Sequence, residues 1–171
     1  SLLYQQQNDG KFKEMAKYSG SLVARAHGGA FVDIDRDGDY DLIVGVSFMR
    51  WGSDSSDYIK RPEKQWIRVF RNDTGQDSNR VMIDIIGAGK EGMSNSKAIG
   101  ARITVRAGGK EFVREVQSSY GLMGFQNDLF QIIGIGDICE VDEIEIRWPD
   151  KNGTVTKYEN IYANYVPVSY T

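Results

Sequence analysis

An acidic loop of nine residues constrains this chain more than any other feature of its sequence. Residues 33–41 read DIDRDGDYD, so aspartates alternate with other residues, and a glycine stands at the sixth position. Alternate residues of a tightly curled loop direct their oxygens at one centre, and Ca²⁺ binds oxygens at roughly 2.3–2.6 Å. Without a cation, the carboxylates repel one another. The loop therefore predicts a Ca²⁺ site formed by the side chains of Asp33, Asp35, Asp37 and Asp41 and the backbone carbonyl of Asp39.

The residues around the loop distinguish it from an EF-hand. An EF-hand loop ends with a bidentate glutamate at position twelve, and this chain has Val44 there. The flanking segments 30–32 (AFV) and 42–46 (LIVGV) are typical of strands and not of helices. A solvated acidic turn that binds no metal stays open as an alternative. If Ca²⁺ binds, we expect it to stabilise the fold and to take no part in chemistry.

The loop and its surroundings resemble the FG-GAP or VCBS repeat, the blade unit of many extracellular β-propellers. The resemblance also includes Leu3-Tyr4, residues 8–12 (NDGKF), residues 27–32 (HGGAFV) and residues 69–73 (VFRND). The remainder of the chain resembles the ASPIC/UnbV domain that often follows such repeats. The segments that carry this second resemblance are 98–105 (AIGARITV), 113–116 (VREV), 120–121 (YG) and 141–149 (VDEIEIRWP).

Short β-rich runs bounded by Gly, Asn, Asp and Ser fill the sequence, and only Lys13–Tyr18 offers a helix candidate. Together with the resemblance, they predict an all-β protein: a partial propeller-like blade with a Ca²⁺ loop, plus a C-terminal antiparallel β-sandwich-like domain. We expect the calcium-binding β segment, an incomplete propeller, to span residues 1–72. The ASPIC/UnbV-like β domain is expected to span residues 73–171.

One hairpin is specified in detail by its residues. The Gly108-Gly109 pair suits the positive φ angles of a two-residue turn. That turn sets a register whose predicted pairs are Arg106 with Glu111, Arg102 with Glu115, and Val105 with Phe112. A second turn is predicted at residues 150–153 (DKNG), after Pro149.

The number of strands indicates that this chain does not act alone. A propeller needs about four to eight blades, and this chain holds strands for about one blade, with no internal repeat. A lone blade exposes apolar faces and unpaired edges. Three arrangements stay open: the N-terminal strands fold onto the C-terminal domain, complete a sheet in another protein subunit, or belong to a longer polypeptide. We favour a partner, either another protein subunit or the missing remainder of a propeller. The net charge of −3 and the lack of a basic stripe exclude a nucleic-acid footprint, and no apolar run approaches the length of a membrane span.

Residue types that commonly carry catalysis are scarce. His27 is the only histidine, and we expect it in a glycine-rich turn near the acidic loop. Cys139 is the only cysteine, and we expect an inert residue in the core or at a strand end. The segment 87–92 (GAGKEG) lacks the spacing of a phosphate-binding loop and predicts a turn between strands. We expect no catalytic residues and no enzyme activity.

The sequence favours a non-catalytic calcium-binding β module for protein–protein interaction or assembly. An extracellular or periplasmic location follows, because extracellular modules bind Ca²⁺ at roughly 10⁻⁴–10⁻³ M. The resemblance implies the same, since such chains are commonly matrix, adhesion or surface proteins. One alternative is a carbohydrate-binding module, in which Trp51 and Tyr58 would contact glycans; the same two residues are candidates for a protein interface. Another is an accessory subunit of a larger extracytoplasmic enzyme complex. Trp66 and Trp148 are expected in strand cores.

Overall fold

The computed structural model describes residues 2–23, 26–46, 67–74, 77–119, 126–164 and 168–170. These ranges contain strands and turns and no helix, so the prediction of an all-β protein is confirmed. The strands are β1 (Tyr4–Gln6), β2 (Phe12–Glu14), β3 (Ala26–Val32), β4 (Asp41–Val46), β5 (Ile67–Phe70), β6 (Asn79–Ile86), β7 (Arg102–Ala107), β8 (Lys110–Glu115), β9 (Gln131–Gly136), β10 (Glu140–Arg147), β11 (Val155–Tyr162) and β12 (Val168–Tyr170).

Two sheets of the C-terminal part share one apolar core. The first is antiparallel and has the order β11-β10-β7-β8; the second has the order β12-β6-β9. Buried side chains alternate with partly buried ones from Val81 to Ile86 on β6, and apolar side chains alternate with polar ones along β7. One face of each of these strands is therefore buried. The two apolar faces contribute to a single buried cluster, with Val81, Ile83 and Ile133 from the second sheet and Ile103, Val105, Ile144 and Ile146 from the first. The predicted β-sandwich-like arrangement is thus present, with one departure, since β12 pairs with β6 in parallel.

The predicted hairpin between β7 and β8 is confirmed in its register. Arg106 pairs with Glu111 and Val105 pairs with Phe112. Gly108 and Gly109 have φ angles of 57° and 72°, values that residues with a Cβ adopt reluctantly. The second predicted turn is also present: the Asp150 carboxylate accepts the backbone N–H groups of Asn152 and Thr154.

The N-terminal part forms two smaller sheets. β3, β4 and β5 make a three-stranded antiparallel sheet, and β1 and β2 make a separate hairpin. The strands in the described residues do not close into a propeller, which agrees with the expected incomplete blade. The stretch Lys13–Tyr18, the weak helix candidate of the sequence, forms no helix: Phe12–Glu14 pairs with β1, and a turn follows at residues 16–20.

Charged side chains form an ion-pair network on the outer face of the four-stranded sheet. The Glu143 carboxylate contacts Arg106 Nη1 and lies 2.9 Å from Lys157 Nζ. Glu145 Oε2 lies 3.2 Å from Lys157 Nζ, and Glu111 Oε2 lies 3.2 Å from Arg106 Nε. The hydrogen bond from Lys157, together with the positive charges of Lys157 and Arg106, lowers the pKa of Glu143 below its usual value.

This network predicts a loss of stability in acid. The pKa of Glu143 is lower in the folded state than its ordinary value of 4.5, so the unfolded state binds more protons in that range. The contribution of Glu143 is therefore fully present above roughly pH 5 and is lost as the pH falls through the lowered folded pKa. This contribution is the difference in the free energy of unfolding between the wild type and Glu143→Gln, measured by denaturant unfolding from pH 7 downwards. We expect the difference in unfolding free energy to shrink in acid; a constant difference would contradict the prediction. Glu140→Gln, an exposed position on the same strand, is the matched control.

Candidate metal centre

The acidic loop connects two antiparallel strands of the blade-like sheet. β3 ends at Val32, β4 begins at Asp41, and these two residues pair directly across the sheet. The loop is thus flanked by strands on both sides, as predicted, and an EF-hand requires helices there. The flanking ladder brings the two ends of the loop together, so that its aspartates share a small volume.

Three of the predicted ligands lie close enough to hold one cation. Carboxylate oxygens of Asp33, Asp35 and Asp37 all lie within 4.8 Å of one another. Two oxygens that share one Ca²⁺ can be at most roughly 5 Å apart, because each lies about 2.3–2.6 Å from the ion. The donor set consists only of oxygens, which hard cations prefer. The residues present therefore fit Ca²⁺.

The loop is curled by hydrogen bonds between its own carboxylates and amides. Asp33 accepts the N–H groups of Asp37 (3.1 Å) and Gly38 (3.0 Å) on its two oxygens. Asp37 Oδ1 accepts the N–H of Asp39 at 3.1 Å. Gly38 has a φ of 88°, a conformation that favours glycine. These bonds bring the carboxylates to one side of a preformed turn.

Asp41 occupies a different place from the three clustered aspartates. Its side chain is fully buried; Oδ2 accepts the N–H of Ile34 at 2.9 Å, and Oδ1 accepts the N–H of Asn72 at 2.8 Å. Asp41 therefore joins the loop to the segment that follows β5. Asp39 is 9% exposed and also lies outside the three-residue cluster. That Asp41 and the Asp39 carbonyl bind the cation stays a prediction.

The electrostatics of the loop favour a bound cation. Desolvation is the largest effect that raises the pKa of Asp35, and the negative charges of Asp37 and Asp41 raise it further. Arg71 pairs with Asp35: its Nε lies 3.9 Å from Asp35 Oδ2 and closer, at 2.8 Å, to Asp73 Oδ1. Arg71 is largely exposed and is shared with Asp73, so it compensates the charge of the cluster only in part.

Contacts from the C-terminal part hold the loop in place. The Tyr40 hydroxyl donates to the Phe130 carbonyl at 2.8 Å and accepts the Ile132 N–H at 3.0 Å. The Arg80 guanidinium, from β6, donates to the backbone carbonyl of Asp37. Sequence reasoning missed both residues. An aromatic residue inside an acidic loop could have indicated an anchor at Tyr40, whereas Arg80 carries no local indication of its role.

The remaining candidates have mixed outcomes. His27 lies in strand β3 and is exposed, so its predicted place in a turn was wrong; the ladder has a bulge there, between Ala26 and Gly28. Cys139 lies just before β10, at a strand end, but it is exposed and not in the core.

Trp148 is buried in the core, and its indole N–H donates to Thr156 Oγ1 at 2.9 Å. Trp51, Tyr58 and Trp66 lie outside the described residues.

Two protein families match the chain, one in its N-terminal part and one in its C-terminal part. Residues 1–44 match the FG-GAP-like repeat, and residues 91–167 match the family described as ASPIC and UnbV. Both resemblances derived from the sequence are confirmed; the predicted boundary between residues 72 and 73 stays a prediction. No curated protein matches the chain. Within the described ranges, no helix is long and apolar enough to cross a membrane.

Proposed function

Because residues 1–44 match the FG-GAP-like repeat and residues 91–167 match the ASPIC and UnbV family, we propose that the chain is a non-catalytic, calcium-binding β module for extracellular protein–protein interaction or assembly. The observation that carries the proposal is the cluster of Asp33, Asp35 and Asp37, with carboxylate oxygens within 4.8 Å of one another in a preformed turn. Two β units that pack through shared contacts form a scaffold, and the proposed chemistry of the site is cation binding alone.

The clustered aspartates would hold Ca²⁺ with their carboxylates, and Asp41 and the Asp39 carbonyl would complete the set. A bound Ca²⁺ supplies positive charge that neutralises the loop. The carboxylates of Asp33 and Asp37 already accept backbone N–H groups, so binding requires little rearrangement of the turn. The expected result is a more rigid connection between β3 and β4.

The proposed interaction surface lies on the blade. Ile67 and Val69 alternate along β5, the last strand of the three-stranded sheet, and are 61% and 57% exposed. Leu2, Tyr4 and Phe12 of the N-terminal hairpin region are exposed as well. Exposed apolar residues on the edge strand of a sheet favour contact with another β element. The partner is therefore another protein subunit or the remainder of a propeller; the accessory subunit of an extracytoplasmic complex is a form of the same proposal.

The proposed calcium site predicts a large thermal stabilisation. Binding to the folded state alone adds about 2.7 kcal/mol when Ca²⁺ is at one hundred times its Kd. For a domain of this size, that corresponds to a rise of roughly 5–10 °C in the unfolding midpoint over the value in EDTA. The measurement is thermal unfolding by circular dichroism, with Ca²⁺ and with EDTA, at several protein concentrations.

The variants for this test remove a single carboxylate. Asp35→Ala should abolish the calcium-dependent rise while it leaves the EDTA midpoint nearly unchanged, since Asp35 is exposed and carries a raised pKa. Asp142→Ala, an exposed aspartate on β10, is the matched control and should keep the rise. An equal midpoint in Ca²⁺ and EDTA for the wild type would refute the calcium site. A midpoint that rises with protein concentration would indicate pairing between copies.

A further inference from the structure

Arg80 reaches from the C-terminal domain into the acidic loop. It lies on β6, and its Nη2 donates to the backbone carbonyl of Asp37. The guanidinium lies against Gly38, where a Cβ would be 2.6 Å from Arg80 Cζ. The Arg80 backbone is itself held by Asn164, whose Oδ1 accepts the Arg80 N–H and whose N–H donates to the Arg80 carbonyl. The side chain therefore extends from an anchored position.

We infer that Arg80 is a positioning residue for the cation site, through which the C-terminal domain sets the calcium affinity of the acidic loop. The inference rests on the proposed calcium function and adds a residue that lies outside the loop and binds no cation itself. By binding the carbonyl of Asp37, Arg80 restrains the peptide group between Asp37 and Gly38. That peptide group determines where the Asp37 carboxylate lies relative to Asp33 and Asp35.

Two further contacts make the coupling between the domains continuous. The Tyr40 hydroxyl bridges the Phe130 carbonyl and the Ile132 N–H at the start of β9. On the other side of the loop, the Phe31 N–H donates to Asn127 Oδ1 at 2.9 Å. The loop is thus bound to the C-terminal domain at its entrance, in its middle and at its exit. Because linkage is reciprocal, a domain that orders the loop is itself stabilised when the loop binds calcium.

The charge of Arg80 and its hydrogen bond have opposite effects on the affinity of the loop for Ca²⁺. A guanidinium near the site repels Ca²⁺, so a purely Coulombic role predicts tighter binding when the charge is removed. A positioning role predicts weaker binding, because the turn loses a charge-assisted hydrogen bond and its packing against Gly38. The two effects therefore differ in sign, and salt screens the Coulombic repulsion much more than the partly buried hydrogen bond.

The test is calcium titration by calorimetry on the whole chain, for the wild type, Arg80→Met, Arg80→Lys and Arg106→Met. Arg80→Met removes the charge and the donors; Arg80→Lys keeps the charge but loses the planar fork. Arg106→Met is the matched control: it makes the same substitution in the same domain, at an arginine whose ion pairs are with Glu111 and Glu143 and not with the loop. We expect both Arg80 variants to bind Ca²⁺ about tenfold more weakly at low and at high ionic strength, and Arg106→Met to bind like the wild type.

The outcomes distinguish a failure of the proposed calcium site from a failure of the role inferred for Arg80. A wild type that binds no Ca²⁺ overturns both the proposed function and this inference. A wild type that binds, with Arg80 variants of equal or higher affinity, overturns the inference alone. Unfolding in EDTA accompanies every titration: if Arg80 has only a structural role, its variants lower the EDTA midpoint as Arg106→Met does and keep the wild-type Kd. Should Arg80→Met not fold, Arg80→Lys gives the same decision, because a lysine loses the planar packing of the guanidinium against Gly38.

Discussion

Replacing Asp41 by asparagine is expected to destabilise the calcium-free protein by about 3 kcal/mol. Asp41 is fully buried, and its two oxygens accept the N–H groups of Ile34 and Asn72. An asparagine offers one oxygen and one NH₂ group, so one of these N–H donors would face another donor. The substitution leaves a buried amide without an acceptor and removes the charge that strengthens both hydrogen bonds.

The measurement is denaturant unfolding in EDTA, so that the loss of a cation ligand does not contribute. Asp9→Asn is the matched control, because Asp9 makes the same kind of bond, to the Lys11 N–H at 3.1 Å, in an exposed turn. We expect it to change the free energy of unfolding by no more than about 0.5 kcal/mol. Equal effects at the two positions would mean that Asp41 does not join the loop to the segment after β5.

The second large effect is expected in the sandwich core. Ile144 on β10 is fully buried and pairs with Val105 on β7 and with Tyr158 on β11. Ile144→Ala removes three buried carbons and leaves a cavity between the sheets, which should cost about 2–5 kcal/mol of unfolding free energy. Because the core includes residues from both sheets of the sandwich, the loss is expected in one cooperative transition.

Ile67→Ala is the matched control for this prediction. Ile67 lies on β5 and is 61% exposed, so the same change in chemistry should alter the free energy of unfolding by no more than about 0.5 kcal/mol. Denaturant unfolding followed by circular dichroism gives both values. A small effect at Ile144 would contradict the packing of the two sheets. A large effect at Ile67 in the isolated chain would mean that this position is covered, and the proposed interaction surface on β5 would fail.

These expectations divide the aspartates of the loop into two groups. Asp33, Asp35 and Asp37 form the candidate cation site, and the exposed Asp35 can be replaced with little effect on the calcium-free fold. Asp41, which would complete the ligand set, is in addition a buried structural acceptor, so its replacement is expected to affect the fold with or without calcium. The spacing of identical residues in the sequence does not separate these groups, because burial and hydrogen-bond partners depend on residues far along the chain, such as Asn72.

Local sequence was sufficient to predict the features whose physical cause lies within a few residues. The glycine at position 38 and the alternation of aspartates predicted a curled loop, since positive φ and repeated carboxylates act within a few residues. Gly108-Gly109 predicted the register of β7 and β8 for the same reason, because a two-residue turn determines which residues pair. The weak helix signal of Lys13–Tyr18 has no counterpart in the fold, because its first residues pair with β1 and strand pairing overrides weak propensity.

The contacts between the N-terminal and C-terminal parts of the chain are decided by tertiary structure alone. Arg80 stands in the sequence as one charged residue among many, and only the packing of β6 beside the loop brings its guanidinium to the Asp37 carbonyl. Tyr40 likewise finds its partners, Phe130 just before β9 and Ile132 at its start, some ninety residues away. From the residues themselves come the all-β pattern, the aspartate loop and the tight turns. The partners of Asp41, Tyr40 and Arg80 come from the fold, because a hydrogen bond requires a distance and a direction that only the folded chain determines.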